Sequence, residues 1–267
     1  MKKVLTAVVL LAVLAGCYDA DITSPGNEAR YGSPYVQLRY ALASETSQYN
    51  QSGYTSNAKH VDGIIEVSNS GYHKEVLVHF SADGGWDSVA AEYYGPAEGN
   101  NELWSFSFTS GTYLPYWASS QSQFAISYTV NGVTVWDNNG GNDYVVGHQG
   151  RGMPVCRTAL GKDAVKLVSG NLSPFVENGE RRFWGNIDLK NLAFNKQVSV
   201  VYTTDNWQTV GEADANFFFL YNTGMESWRI DFRLPESVTA IEYVIRYTAG
   251  GVEYWDNNLG QNYSIEL

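Results

Sequence analysis

Phe124-Ala-Ile-Ser-Tyr128, Trp136-Asp-Asn-Asn139 and Tyr144 recur further along the chain as Tyr243-Val-Ile-Arg-Tyr247, Trp255-Asp-Asn-Asn258 and Tyr263. The offset is constant, because 255 − 136 and 263 − 144 are both 119. Gly132 with Gly251, and Gly141 with Gly260, keep the same spacing. Duplication of one structural unit accounts for all of these matches at once. Working backwards, Leu103-Trp104-Ser-Phe-Ser-Phe108 pairs with Ser227-Trp228-Arg-Ile-Asp-Phe232, and Trp86 pairs with Trp207. Val67 to Tyr72 with Lys74, Val76, Val78 and Phe80 pairs with Leu189 to Phe194 with Lys196, Val198, Val200 and Tyr202. Small insertions shift the offset there, as surface loops allow.

Within each copy, apolar and polar residues alternate over short segments broken by Gly, Asn, Asp and Ser, the pattern of half-buried strands. Tyr (19), Trp (8) and Gly (26) are frequent, which favours strands and turns over helices. The class predicted is all-β, with one antiparallel sandwich over 32–149 and a second over 160–267. Residues 147–154, rich in Gly and ending at Pro154, place a linker at 150–159.

The chain has 267 residues and a formal charge of −11. Removing residues 1–17 takes away Lys2 and Lys3 but no acid, so the imbalance grows to −13. Phosphate backbones bind basic surfaces, so no nucleic-acid partner is expected. Lys2 and Lys3 precede an apolar run from Val4 to Leu14, which has the form of a signal peptide and is short for a permanent membrane span. Its ending, Leu14-Ala-Gly-Cys17, resembles the lipobox of bacterial lipoproteins. That resemblance implies cleavage before Cys17 and lipidation of its thiol. Residues 18–31 then form a tether, and Tyr18 after the Cys implies the outer membrane or cell surface. With Cys17 committed, Cys156 has no intramolecular partner. The four histidines have no ligand-like spacing, so no metal and no cofactor is expected.

Trp-Asp-Asn-Asn in a loop between strands suits sugar chemistry. An indole covers the apolar face of a pyranose, and Asn offers both donors and an acceptor to neighbouring hydroxyls. The same residues also suit a plain turn, in which Asn and Asp take the bends they favour and Trp fills a core. Chemistry alone leaves both readings open.

Together with the upstream Trp and the Leu189-Lys-Asn-Leu-Ala-Phe194-Asn-Lys196 segment, these loops resemble carbohydrate-binding module family twenty-one. That family includes starch-binding domains and glycogen-targeting phosphatase subunits. The resemblance implies immunoglobulin-like β-sandwiches that bind α-glucans without catalysis. It implies one site at Trp86, Trp136, Asp137, Asn138 and Asn139 in the first copy. In the second copy that site falls at Trp207, Trp255, Asp256, Asn257, Asn258 and Asn262. A second site is implied at Tyr72 with Lys74, and at Phe194 with Lys196. The first copy departs from the pattern in having Asp143 where the second has Asn262, and both lack an aromatic at Ala125 and Val244.

Catalysis on a glycosidic bond needs two facing carboxyl groups about 5 to 9 Å apart. Asp137 and Asp256 belong to different copies, so no enzyme is expected. Arg229-Ile-Asp-Phe232 resembles the phosphatase-docking pattern of the glycogen-targeting subunits, but it lies in an alternating strand whose apolar residues should face a core, and an exported chain would not meet that phosphatase. The expectation is therefore surface binding of starch, glycogen or maltooligosaccharide beside extracellular amylolytic enzymes. The competing reading is an adhesive or structural protein that binds another polysaccharide or a protein.

Overall fold

The computed structural model describes residues 34–49, 55–82, 85–109, 114–115, 120–148 and 156–267. The signal peptide, Cys17 and the tether lie outside the described residues. The described chain is two tandem antiparallel β-sandwiches. The first comprises β1 (Val36–Tyr49), β2 (Thr55–Ser68), β3 (Lys74–Ala82), β4 (Gly85–Ala90), β5 (Glu92–Ala97), β6 (Asn101–Thr109), β7 (Leu114–Pro115), β8 (Ser120–Val130), β9 (Val133–Asp137) and β10 (Tyr144–His148). The short strand β11 (Thr158–Leu160) follows. The second sandwich comprises β12 (Val165–Glu177), β13 (Glu180–Lys190), β14 (Lys196–Thr203), β15 (Gly211–Asp214), β16 (Asn216–Leu220), β17 (Met225–Pro235), β18 (Ala240–Ala249), β19 (Val252–Asp256) and β20 (Tyr263–Glu266).

Each copy stacks two sheets. In the first, β11-β1-β2-β6-β5 faces β10-β8-β3-β4, with β9 paired to β8. In the second, β12-β13-β17-β16 faces β15-β14-β18-β19, with β20 paired to β18. The two-residue period decides which side chains meet between the sheets. Phe124, Ile126, Tyr128 and Val130 of β8 are buried, and Ile241, Tyr243, Ile245, Tyr247 and Ala249 of β18 repeat the stripe. Tight hairpins close where the backbone needs positive φ: Asn131 (51°) and Gly132 (77°) join β8 to β9, and Gly250 (58°) and Gly251 (82°) join β18 to β19. Duplication extends to single hydrogen bonds, since the Tyr128 hydroxyl donates to the Ser68 carbonyl (2.7 Å) as the Tyr247 hydroxyl does to that of Lys190 (2.8 Å).

Of the expected linker, residues 150–155 lie outside the described residues. Thr158–Leu160, which includes the last residues of the expected linker, pairs with Leu42–Tyr40 and extends the first copy's sheet. Beyond it the Lys162 ammonium donates to the buried Glu66 carboxylate (2.7 and 2.9 Å), and Arg39 pairs with Asp163 at 2.5 Å. Burial pushes the Glu66 carboxyl up, but the Lys162 and Asn101 hydrogen bonds outweigh it and hold it below its ordinary range. The composition of a linker carries no information about the strand edge that receives the residues after it.

Candidate functional site

The two Asp-Asn-Asn loops are built alike, and most of their polar capacity is spent on their own shape. The Asp137 carboxylate accepts the Leu38 N–H (2.7 Å) and the Tyr144 hydroxyl (2.8 Å). Asp256 accepts the Leu167 N–H (2.7 Å), the Tyr263 hydroxyl (2.7 Å) and the Lys166 ammonium (3.3 Å). Burial, and then the Asp137 charge, push the Tyr144 phenol up, so it remains a donor; Tyr263 behaves likewise beside Asp256. Asn138 Oδ1 accepts the Gly141 N–H (3.0 Å), and Asn257 Oδ1 accepts that of Gly260 (3.0 Å). The side-chain amides of Asn139 and Asn258 donate to the carbonyls of Asp143 and Asn262, both at 3.0 Å.

These bonds engage within the loop and its neighbouring strands groups that the expectation assigned to a sugar. Asp137 and Asp256 point inward as strand ties, and Asn139 and Asn258 hold left-handed backbone with φ near 53°. The Asn and Asp bends of the turn reading are therefore present, but its core tryptophan is not. Trp136 is 56% exposed and Trp255 is 47% exposed, so neither fills a core.

The tryptophans stand on the outer face of one sheet in each copy. In the first, Trp136 pairs with Ser127, His79 with Ala125, and Trp86 with Ser81. The period of two puts Trp86, Ser81, His79, Ala125, Ser127 and Trp136 on one face, with β9 and β4 separated by three strand spacings, about 14 Å. The His79 ring lies 4.9 Å from that of Trp136, and its Nε2 is 2.9 Å from Ser127 Oγ. Trp86 is 56% exposed at the other side.

In the second copy Trp255 pairs with Arg246, whose guanidinium lies 5.9 Å from the indole and pairs with Glu212. Two residues along the same face of β18 is Val244, and two further is Glu242. The Glu242 carboxylate accepts hydrogen bonds from the Asn262 amide (2.7 Å) and from the Trp207 side chain, and these hold it below its ordinary range. Glu242 and Arg246 lie about 13 Å apart along the strand. Trp207 sits in a turn at φ 63°, clamped by its N–H to Thr203 Oγ1 (2.9 Å) and by Asp205, which accepts the Thr209 N–H (2.9 Å). The first copy thus presents two exposed tryptophans on the face of Ala125, and the second presents the exposed Trp255 and the half-buried Trp207 on the face of Val244. Glu242, Arg246, Asp205 and His79 take part in this arrangement without belonging to any local motif. Strand register brings His79, Glu242 and Arg246 beside the tryptophans, and the turn itself brings Asp205.

Tyr72 (93% exposed) and Phe194 (99% exposed) project from the equivalent turns before β3 and β14. Lys74 and Lys196, expected to work with them, turn their ammonium groups inward. The Lys74 ammonium is buried against Asn69 Oδ1 (2.7 Å) and Glu102 (2.8 Å), and Lys196 against Asn191 and Glu226 (2.7 Å). The same glutamates accept the indole N–H of Trp104 (3.2 Å) and of Trp228 (2.9 Å). A two-residue offset from an exposed aromatic cannot reveal that the lysine turns in to neutralise a buried acid. Among the described residues, no group of three His, Cys, Asp or Glu is placed to hold a metal ion.

Two duplicated sandwiches with exposed tryptophan faces define a carbohydrate-binding class of protein. The chain belongs to the carbohydrate/starch-binding module family 21, whose model matches residues 43–147 and 160–266. Over 91 residues it is 36% identical to protein phosphatase 1 regulatory subunit 3C of Bos taurus, covering 32% of this chain and 29% of that protein. Over 86 residues it is 34% identical to regulatory subunit 3B of Xenopus tropicalis, covering 30% and 29%. The alignment thus spans less than a third of the length of these curated relatives. Among solved structures, the starch-binding domain of Rhizopus oryzae glucoamylase, in complex with β-cyclodextrin and maltoheptaose, aligns at 28% identity and a TM-score of 0.32, covering 40% of this chain and 95% of that one. In this chain Ile230 of the Arg229-Ile-Asp-Phe232 stretch is 2% exposed and Phe232 packs on the core, so the apolar residues of that stretch are not presented for docking.

Proposed function

We propose that this chain is a non-catalytic α-glucan binder in which each copy contributes one two-tryptophan face: Trp86 with Trp136, and Trp207 with Trp255. The observation that carries the reading is the exposure of Trp86, Trp136 and Trp255 on the outer sheet faces, with the half-buried Trp207 held to Glu242 beside Trp255. Stacked aromatic platforms cover the apolar faces of sugar rings, and two planes set apart suit a chain that curves, as an α-1,4 glucan does. The amide NH2 groups of Asn138 and Asn257, which make no hydrogen bond among the described residues, supply donors at the rim of each face. Retention on insoluble starch tests the reading. Release by maltooligosaccharide or cyclodextrin but not by cellooligosaccharide is the expected result, and equal release by both sugars would reject it.

Tyr72 and Phe194 form a smaller contact for the same ligand. Tyr72→Ala and Phe194→Ala are each expected to weaken binding of a long glucan by about 0.5–1.5 kcal/mol, as lost aromatic contacts do. Because both rings are exposed, the melting temperature should stay unchanged, which differential scanning calorimetry can check.

The reading also places the protein at a bacterial surface through lipid on Cys17, where it would hold glucan near extracellular amylolytic enzymes. Several acyl chains on one residue suffice for stable membrane attachment. Cys17→Ser is expected to remove the protein from the membrane fraction or to leave an uncleaved precursor, as fractionation and mass spectrometry would show. A wild-type protein recovered soluble and unacylated from a bacterial host would overturn the anchor.

A further inference from the structure

The second copy carries a cleft of about 560 Å³ on its other sheet, β12-β13-β17-β16, lined in part by Arg157, Ser169, Asn186, Phe218 and Arg229. Strand register places Ser169, Asn186, Arg229 and Asn216 in one row across all four strands. Every residue of that row is a hydrogen-bonding side chain. The matching row of the first copy is Tyr40, Ile64, Ser105 and Glu92, which offers no cation. The first copy has a cleft of about 440 Å³ over that row, so the cleft is shared and its arginines are what distinguish the second copy.

Its charge is unusual for this molecule. The chain has 28 acidic against 17 basic residues, and nearly every described Lys or Arg side chain is engaged by a carboxylate or a carbonyl. Among the described side chains, Arg157 and Arg229 are the two with neither partner, and both line this cleft. The Arg229 guanidinium carbon lies 3.3 Å from the centre of the Phe218 ring. Stacking fixes the plane of a guanidinium while leaving its in-plane N–H fork free for an oxyanion. The Asn186 amide donates to Ser169 Oγ (3.2 Å), which leaves the Asn186 carbonyl and the Ser169 hydroxyl hydrogen for a ligand. At the inner end, the buried Asp188 carboxylate is already engaged by Thr158 (2.8 Å) and Tyr221 (3.1 Å), and burial pushes its carboxyl up.

We propose that this cleft is a separate site for a sugar residue bearing an oxyanion, either a phosphate monoester or a uronate carboxylate. Arg229 and Arg157 take the anion, and the Ser169 and Asn186 side chains take the sugar hydroxyls. The site does not rest on the tryptophan faces, since it lies on the opposite sheet of the second copy.

Calorimetric titration of the full chain in mild detergent, with glucose 6-phosphate, glucuronate, glucose and inorganic phosphate as probes, tests it. One of the two anionic sugars is expected to bind at least about tenfold more tightly than glucose and more tightly than phosphate alone, and which one does so identifies the anion. Arg229→Ala and Arg157→Ala should each weaken that binding about tenfold or more. Arg229→Lys, which keeps the charge but loses the planar fork, should recover only part of it. The Trp136→Ala/Trp255→Ala double variant should bind the anionic sugar like the wild type, so failure of the glucan reading and failure of this one are separable. Binding no tighter than that of glucose, phosphate binding as tight as the anionic sugar, unaltered affinity in both Arg→Ala variants, or loss in the tryptophan variant would each overturn the proposal.

Discussion

Replacing Trp136 and Trp255 together by Ala is expected to abolish retention on insoluble starch while the far-ultraviolet circular dichroism and melting temperature stay close to wild type. Each indole is about half exposed and packs on a surface neighbour, His79 or Arg246, so its removal opens no interior cavity. Loss of one stacking platform costs about 1–3 kcal/mol. A single substitution should therefore weaken short-oligosaccharide binding in its own copy by roughly ten- to a hundredfold and leave the other copy untouched. Polysaccharide retention depends on both faces acting on one long ligand, so it should fall much further in the double variant than in either single one. A folded double variant that still binds starch like the wild type would remove the tryptophans from the site. Unfolding of the second sandwich by Trp255→Ala would return that residue to the core.

The largest effect on stability is expected from Asp256→Ala. This carboxylate ties β19 to β12 through the Leu167 N–H and is the ion-pair partner of Lys166, which is itself buried. Burial lowers the Lys166 pKa, with Asp256 acting against that shift. Removing one member of a buried pair leaves an uncompensated charge, at a cost of about 3–5 kcal/mol. The nearest remaining neighbours of the ammonium are the Tyr263 hydroxyl (2.7 Å) and the Tyr40 ring, 3.9 Å away in the first copy, with the Asp163 charge, itself paired with Arg39, farther off. For a sandwich of this size the melting temperature should fall by more than about 10 °C. Asp137→Ala is the internal control. Gln37 stands where the second copy has Lys166, so only hydrogen bonds are lost, and the cost should be nearer 1–3 kcal/mol. Adding Lys166→Met to Asp256→Ala should recover part of the loss. Equal costs for the two aspartates, or no recovery in the double variant, would show that the buried charge is not what destabilises the protein.

Much of the architecture is legible in the sequence. The constant offset of 119 residues between the Trp-Asp-Asn-Asn segments declared the duplication, and the alternating stripes of Phe124–Val130 and Ile241–Ala249 declared the strands and their buried faces. Trp136 and Trp255 were legible as candidate platforms, but the same letters allowed a core tryptophan, and exposure could not be read from a pattern of spacing. The polar partners were the least legible. Lys74 and Lys196 follow exposed aromatics at two residues, yet their ammonium groups are drawn inward by Glu102 and Glu226, which lie 28 and 30 residues away.

The sequence by itself determined the class, the duplication, the turn positions that demand Asn or Gly, and the residue types able to stack on a sugar. Those features depend on local conformation and periodicity, which a chain carries in its order of residues. The tertiary structure alone decided which polar groups remain free for a ligand. A carboxylate, amide or ammonium is committed by whatever donor or acceptor the fold brings within about 3 Å. In this protein those partners come from other strands: Leu38 for Asp137, Leu167 for Asp256, Glu226 for Lys196. Strand register also set Ser169, Asn186, Arg229 and Asn216 in one row, although they are scattered over 60 residues of sequence, because pairing across a sheet depends on which strands become neighbours.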